Sequence, residues 1–169
     1  MITDRFEFRD IRPEESDQAA EIEQIVFPPH EAVFPDDVRE HAYVAPDCFL
    51  VAVDRETGLV AGFLYGLATD ESAFRDEFFT DVSLHVPDGQ NIILLGLDVL
   101  PEYQGQGLGR AIMTEYCRRE KAKGRSKLIL TCLENLVGMY EKFGFVDLGI
   151  SGSTWGGEEW HEMDLTLNP

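Results

Sequence analysis

Leu94-Leu95-Gly96-Leu97-Asp98-Val99-Leu100-Pro101-Glu102-Tyr103-Gln104-Gly105-Gln106-Gly107-Leu108-Gly109-Arg110 is the stretch on which the fold of this chain turns. Its first half belongs to an aliphatic run, Ile92 to Leu100, too continuous for a strand with one wet face, so a central strand covered on both sides is expected. Its second half is a loop, Tyr103 to Gly109, holding Gly105, Gly107 and Gly109. A helix is expected to follow at once, from about Leu108 to Lys123, closed by Gly124. Without Cβ atoms, glycines let successive backbone N–H groups point into one hollow. The helix N-terminus adds its positive dipole end, so the unit is an anion cradle suited to a pyrophosphate.

Outward from this centre the chain alternates strands and helices. On the N-terminal side, Phe6 to Ile11 reads as a strand, and Pro13 opens a helix with the apolar stripe Ala19, Ala20, Ile22, Ile25 and Val26. The Pro28-Pro29 pair ends it. Pro35 to Ala42 reads as a short second helix. Phe49 to Val53 and Leu59 to Leu67 form a hairpin about Asp54 to Gly58, and Asp70 to Asp81 is expected to make a helical excursion. On the C-terminal side come a buried strand (Leu128 to Cys132), a short helix (Leu136 to Phe143), a strand (Phe145 to Ile150), a flexible loop (Ser151 to Gly157) and a last strand (Trp160 to Leu167). The order βααβββαβαββ predicts an α/β (α+β) fold: one domain over 1–169, a mixed sheet of about seven strands with helices on its faces.

Bulk properties narrow the function. Fourteen basic against 32 acidic residues give a net charge of −18, a field that repels nucleic acid and anionic lipid and draws cationic small molecules. Solubility alone also accounts for it. The basic cluster Arg118, Arg119, Lys121, Lys123, Arg125 and Lys127 falls at a helix C-terminus, where cations offset the dipole. No apolar run reaches membrane-spanning length and no signal peptide is visible, so a cytoplasmic address without membrane contact is expected. Cys48, Cys117 and Cys132 show no CxxC spacing, and His30, His41, His85 and His161 show no ligand spacing; neither a disulfide framework nor a metal is expected.

Three loop types can cradle phosphates this way. One with Lys-Ser/Thr after its last glycine fails, because Arg110-Ala111 follows Gly109. The dinucleotide pattern G-x-G-x-x-G fails too: counted from Gly105, its third glycine slot holds Arg110. Gln104-x-x-Gly107-x-Gly109 instead resembles the Q/R-x-x-G-x-G/A loop of GNAT acetyltransferases at every fixed position. Asn135-Leu136-Val137-Gly138-Met139-Tyr140-Glu141-Lys142-Phe143-Gly144-Phe145 is similar to the last helix of that family.

The resemblance extends over nearly the whole chain and looks like the arylalkylamine (serotonin) N-acetyltransferase branch. Glu21-Ile22-Glu23 with Phe27, Leu59 to Phe63, Ser83 to Gly89 and Thr131 to Phe145 carry it. It implies acetyl-CoA as co-substrate and a small-molecule primary amine, arylalkylamine- or polyamine-like, as acceptor, attacking the thioester directly. Backbone groups of Leu97 and Val99 would pair with the pantetheine arm, with Asp98 between them. Gln104, Gly105, Gln106, Gly107, Leu108, Gly109 and Arg110 would hold the pyrophosphate, Arg110 adding a charge-assisted contact. Tyr140 would lie near the sulfur and either donate a proton to the leaving thiolate or hold the sulfur in place; a core aromatic is the competing reading. Monomer and homodimer are both compatible.

The chain departs from the branch where two histidines on the central strand would help deprotonate the amine, since those slots hold Ile93 and Leu95. The Cys-Pro-Leu loop that shapes the acceptor site has Ala32-Val33-Phe34-Pro35 in its place. Without a histidine base, activity is expected to keep rising toward alkaline pH, because a primary amine of pKa ~10.4 is neutral in only roughly one part in two or three thousand at pH 7. Asp98 and His161 are candidate relays, each with an ordinary structural alternative, and no base is assigned. The aromatics Phe27, Phe34, Tyr43, Phe74, Phe78 and Phe79 are candidates for a closed small-molecule pocket. A non-catalytic acyl-CoA sensor and a protein lysine or N-terminal acetyltransferase are the remaining readings.

Overall fold

A computed structural model describes residues 2–169. Seven strands, β1 (Phe6–Asp10), β2 (Phe49–Asp54), β3 (Val60–Thr69), β4 (Asn91–Val99), β5 (Lys127–Cys132), β6 (Val146–Ile150) and β7 (His161–Thr166), form one sheet in the order β1-β2-β3-β4-β5-β7-β6. Four helices flank it: α1 (Ser16–Val26), α2 (Pro35–Val44), α3 (Leu108–Ala122) and α4 (Val137–Phe143). Every residue of β2 and β3 is buried, the pattern of strands covered on both faces. The element order and the mixed sheet are those expected from the sequence.

All neighbours pair antiparallel except β4 and β5, which run parallel. That parallel ladder is short: Asn91, Ile92 and Ile93 face Lys127, Leu128 and Ile129, and beyond Ile93 the two strands part. On its other side β4 stays paired with β3 to Val99, with a register shift at Tyr65/Gly66 that leaves Leu95 as the extra residue of a bulge. Bulges re-aim side chains beside functional sites, and here Gly96 and Asp98 share a side of the strand as a result of their spacing.

Three expected elements differ in the structure. The 70–81 excursion contains a single helical turn, Glu77–Thr80. Its acidic first half has no apolar period to pack, and Glu71 instead takes Arg75 in two hydrogen bonds of 2.7 and 2.8 Å. The segment read as a flexible loop, Ser151 to Gly157, is tied down: the Asp76 carboxylate accepts from Ser153 Oγ and, at 3.1 Å, from the Thr154 amide. Trp155 donates its indole N–H to the Glu31 carbonyl at 2.8 Å and stacks on Phe79 at 4.3 Å between centroids. The first helix also starts later than expected, after a turn at Pro13–Glu15. There the Glu15 carboxylate accepts from the Arg12 amide and grips Arg9 at 2.7 and 2.8 Å.

Helices α1 and α3 both pack on β3 and β4. Ile112 and Met113 of α3 are fully buried, as are Ala19, Ala20 and Ile22 of α1. Each such large aliphatic side chain contributes about 1.5–3 kcal/mol by leaving water. The fourth buried residue of α1 is an acid, Glu23. Helical spacing puts it on the stripe that faces the sheet, and that placement decides the chemistry of the site.

Candidate active site

Where β4 and β5 part, a cavity opens, with about 700 Å³ of empty space that includes open solvent at its mouth. Leu94, Leu95, Gly96 and Leu97 form one lip and Leu130, Thr131, Cys132 and Leu133 the other; Met113 of α3 and Tyr140 of α4 also line it. Four further aromatics, Phe27, Phe79, Trp155 and Trp160, line it together with Glu23, Glu31 and Val33. No lysine, arginine or histidine is among the lining residues.

The glycine loop lies at the end of β4 and is braced from its flanks. Tyr103 donates its hydroxyl to Asp54 at 2.6 Å, and Gln104 donates its side-chain amide to the Val99 carbonyl at 2.9 Å. Gln106 reaches the Glu102 carbonyl at 3.2 Å. Gly105 and Gly107 have φ of +76° and +86°, and an added Cβ would meet nothing within 4 Å at either. Their requirement is therefore the left-handed backbone, with open space in front of it. Helix α3 has no side-chain cap. Its first amide to find a helical carbonyl is that of Ala111, 3.0 Å from Gly107, so the preceding N–H groups of Leu108, Gly109 and Arg110 are the orphans of a helix start. Arg110 is exposed on that first turn and Leu108 is buried beneath it. The residues present fit a pyrophosphate.

Tyr140 is nearly buried, its ring edge-on to Phe145 at 5.7 Å. Burial, with Cys132 and Asp98 nearby, holds its hydroxyl well above the usual tyrosine pKa. It therefore carries its proton across the physiological range.

The predicted residues do not all meet. Leu97 lines the cavity, whereas Val99 is half-buried beyond it with its carbonyl taken by Gln104. The side chain of Asp98 is fully buried and is not among the groups lining the cavity. His161 sits outside the cavity, its Nδ1 at 3.1 Å from both Asp147 oxygens. Of the two histidine slots, Leu95 lines the cavity and Ile93 is core. Among the candidate pocket aromatics only Phe27 and Phe79 line it; Phe74 and Phe78 are core, while Phe34 and Tyr43 are 65% and 77% exposed. Folding brings His30 within 3.1 Å of Glu158 and 3.3 Å of Glu31, a grouping invisible in the linear spacing.

Sequence reasoning named Asp98 as a candidate relay but gave Glu23 no role in the site. Glu23 is 2% exposed and Asp98 0%, and they sit side by side. One Glu23 oxygen accepts from the Val33 amide at 3.0 Å; its Oε1 and both Asp98 oxygens have no hydrogen-bond donor, and nor does the buried Tyr65 hydroxyl have a partner. A Cβ at Gly96 would lie 2.9 Å from Asp98 Oδ1, 3.3 Å from Glu23 Oε1 and 2.8 Å from the Tyr65 ring. Burial, and then the neighbouring Glu23, push the Asp98 carboxyl far above the usual carboxylate range. Glu23 is raised as well, by burial.

A parted parallel pair at mid-sheet, a cradle at the end of one lip and a tyrosine opposite define a protein that binds an acyl-CoA thioester and presents it to a second substrate. The profile of the acetyltransferase (GNAT) family matches residues 12–145, and the chain belongs to that family. It is an acetyltransferase. The chain is 28% identical to serotonin N-acetyltransferase of Mesocricetus auratus over 165 residues, covering 95% of this chain and 77% of that protein. In structure it is similar to GphF GNAT-like decarboxylase in complex with isobutyryl-CoA, with a TM-score of 0.82, 15% identity, and 96% and 100% of the two chains covered. It is also similar to yncA, a putative acetyltransferase from Salmonella typhimurium with its cofactor acetyl-CoA, with a TM-score of 0.68, 16% identity, and 97% and 95% covered.

Proposed function

We propose that this chain transfers an acetyl group from acetyl-CoA to the primary amine of a small molecule with an aromatic or aliphatic tail. The observation that carries this reading is the cavity at the parted strands, which combines aromatic walls with the acids Glu23 and Glu31 and has no basic side chain. Such a lining welcomes a cation with an apolar tail. It opposes an acyl group that carries its own carboxylate, which counts against decarboxylation despite the similarity in fold. The donor lies along β4 with the amide edge left free by β5 beside its pantetheine arm, and the cradle holds its pyrophosphate. Tyr140 gives its proton to the thiolate as the amine nitrogen forms its bond to the acetyl carbon.

Free-thiol release from acetyl-CoA, measured with tryptamine, phenylethylamine, spermidine and a lysine peptide, tests the proposal. Arylalkylamines should give the highest kcat/KM, and added salt should lower it, because the long-range attraction is screened. Tight acetyl-CoA binding with no release for any amine would make the protein a sensor; release with the peptide alone would make it a protein acetyltransferase. The cradle has its own test. Gly107→Val strains a residue at φ +86°, at a cost of about 1–3 kcal/mol, and puts a branched side chain into the open space before the loop. Calorimetry on the folded variant should show acetyl-CoA binding greatly weakened; unchanged affinity would remove the pyrophosphate from this loop.

A further inference from the structure

The cavity has an acidic floor in which, among the described residues, the Val33 amide on one Glu23 oxygen is the only hydrogen-bond donor to the two acids. Glu23 lines the cavity, is 2% exposed and has an oxygen without a donor. Asp98 lies directly behind it with both oxygens in the same condition. A native interior rarely leaves buried polar atoms in this state without a use for them. The missing Cβ at Gly96, itself a lining residue, keeps open the space between the two carboxyls.

We propose that Glu23 and Asp98 form a one-proton carboxyl pair in which Glu23 is the catalytic base that receives the acceptor's ammonium group and Asp98 is a positioning residue that sets Glu23's basicity. The inference rests on the amine-acetylating reading above. The charges balance as follows. An ammonium enters as the cation that the singly ionised pair lacks, and one of its protons passes to Glu23. The neutral amine attacks the thioester carbonyl, forming the C–N bond as the C–S bond breaks. Tyr140 gives its proton to the sulfur and is restored by the second proton lost from nitrogen. The proton on the pair then leaves to solvent, so the products are the amide, the free thiol and one proton.

The groups around the pair leave it this task. From β3 the Tyr65 hydroxyl faces it, itself held protonated by burial and by the two acids. From α2, Asp37 acts on Tyr65 and the His41 ring packs on Tyr65 at 5.4 Å, with nitrogens 2.7 and 2.8 Å from the carbonyls of Asp37 and Phe78. From α4 Tyr140 feels Asp98, and Glu31 lies further along the cavity. None of these is a lysine or arginine. Burial lifts Glu23 toward the amine it must deprotonate, while the hydrogen bond from Asp98 opposes that rise.

The test is the pH dependence of kcat/KM for the best amine from pH 6 to 9.5, in wild type, Glu23→Gln and Asp98→Asn. Calorimetry with acetyl-CoA should be unchanged throughout. In wild type, kcat/KM should level off once the pair has ionised, well below the amine's own pKa of about 10. This replaces the continuing rise expected from the missing histidines. Glu23→Gln should lose ~10²–10⁴-fold at pH 7 and follow the free-amine fraction, tenfold per pH unit. Its deficit should shrink with trifluoroethylamine, a weakly basic amine already neutral at pH 7. In Asp98→Asn the bend should move to higher pH, because an amide is a weaker donor to Glu23 than a carboxylic acid. Wild type and Glu23→Gln profiles of the same slope would overturn the inference alone. If Glu23→Gln does not fold, an unmoved bend in Asp98→Asn overturns it. A wild-type protein that binds acetyl-CoA and acetylates no amine overturns both this inference and the proposed function.

Discussion

Buried acids occur in two settings in this molecule, and the contrast separates architecture from chemistry. Away from the cavity each one has its cation. Glu120, 2% exposed, meets Arg125 at 3.1 Å and Lys123 at 2.7 Å, and Arg125 also donates to the carbonyls of Pro87 and Gly89. Glu15 grips Arg9 through both oxygens. Asp54 takes Arg5 at 3.0 Å and the Tyr103 hydroxyl, which hold its carboxyl down at about 2. At the cavity Glu23 and Asp98 have no cation, only the Val33 amide on Glu23 and each other, and burial moves both the opposite way. Where an acid holds the fold together, the chain supplies the partner. At Glu23 and Asp98 it supplies no lysine or arginine.

If that division is right, damage to the first group costs stability and damage to the cavity costs turnover. Tyr140→Phe should show the largest effect. Its ring still packs on Phe145, so the melting temperature and acetyl-CoA affinity should hold while kcat falls ~10²–10⁴-fold. Wild-type turnover would return Tyr140 to the core. Arg125→Ala should do the reverse. It leaves the Glu120 charge buried beside a lone lysine, a loss of about 3–5 kcal/mol, which denaturant titration would register. The protein that remains folded should keep its kcat, and a lowered kcat at full occupancy would blur the division.

The smallest effect has the opposite sign. Asp98 has its pKa raised in the folded state, so above ~3.9 the unfolded chain releases a proton that the folded chain keeps. Stability from this group therefore falls as pH rises, until the folded pKa is passed. Asp98→Asn removes that slope. Melting temperatures of variant and wild type should coincide near pH 4 and diverge in the variant's favour by pH 8, by the equivalent of about 1 kcal/mol. A variant less stable at pH 8 than at pH 4, relative to wild type, would place Asp98 with the structural acids.

The sequence made some of this visible and hid the rest for definite reasons. The central strand and the glycine loop that leads into α3 were legible because aliphatic runs and glycine spacing act locally. Glu23 was not, although it sits on the buried stripe of its helix, because burial patterns are read from apolar residues and an acid at such a position looks like solvent-facing polarity. Its partner lies on a different element, and only the packing of α1 over β4 brings them together. The alternation that turns Asp98 away from Leu97 was readable, but what it turns toward was not. Likewise Ser151 to Gly157, with its serines and glycines, carries no local sign of the ties that Asp76 and Glu31 impose on it.

The three-residue parallel ladder between β4 and β5 has a mechanical consequence. Seven strands make one sheet only through Asn91–Ile93 and Lys127–Ile129; everything past that seam is two half-sheets leaning apart. The arrangement is a clothes peg, stitched at one end and sprung at the other. On the proposed function, a thioester arm laid between the jaws would add rungs of its own to the ladder, so the donor would complete the sheet as well as fill a site. Amide exchange along β4 beyond Ile93 should slow when it is bound, while the stitched end, already laddered, stays as it was.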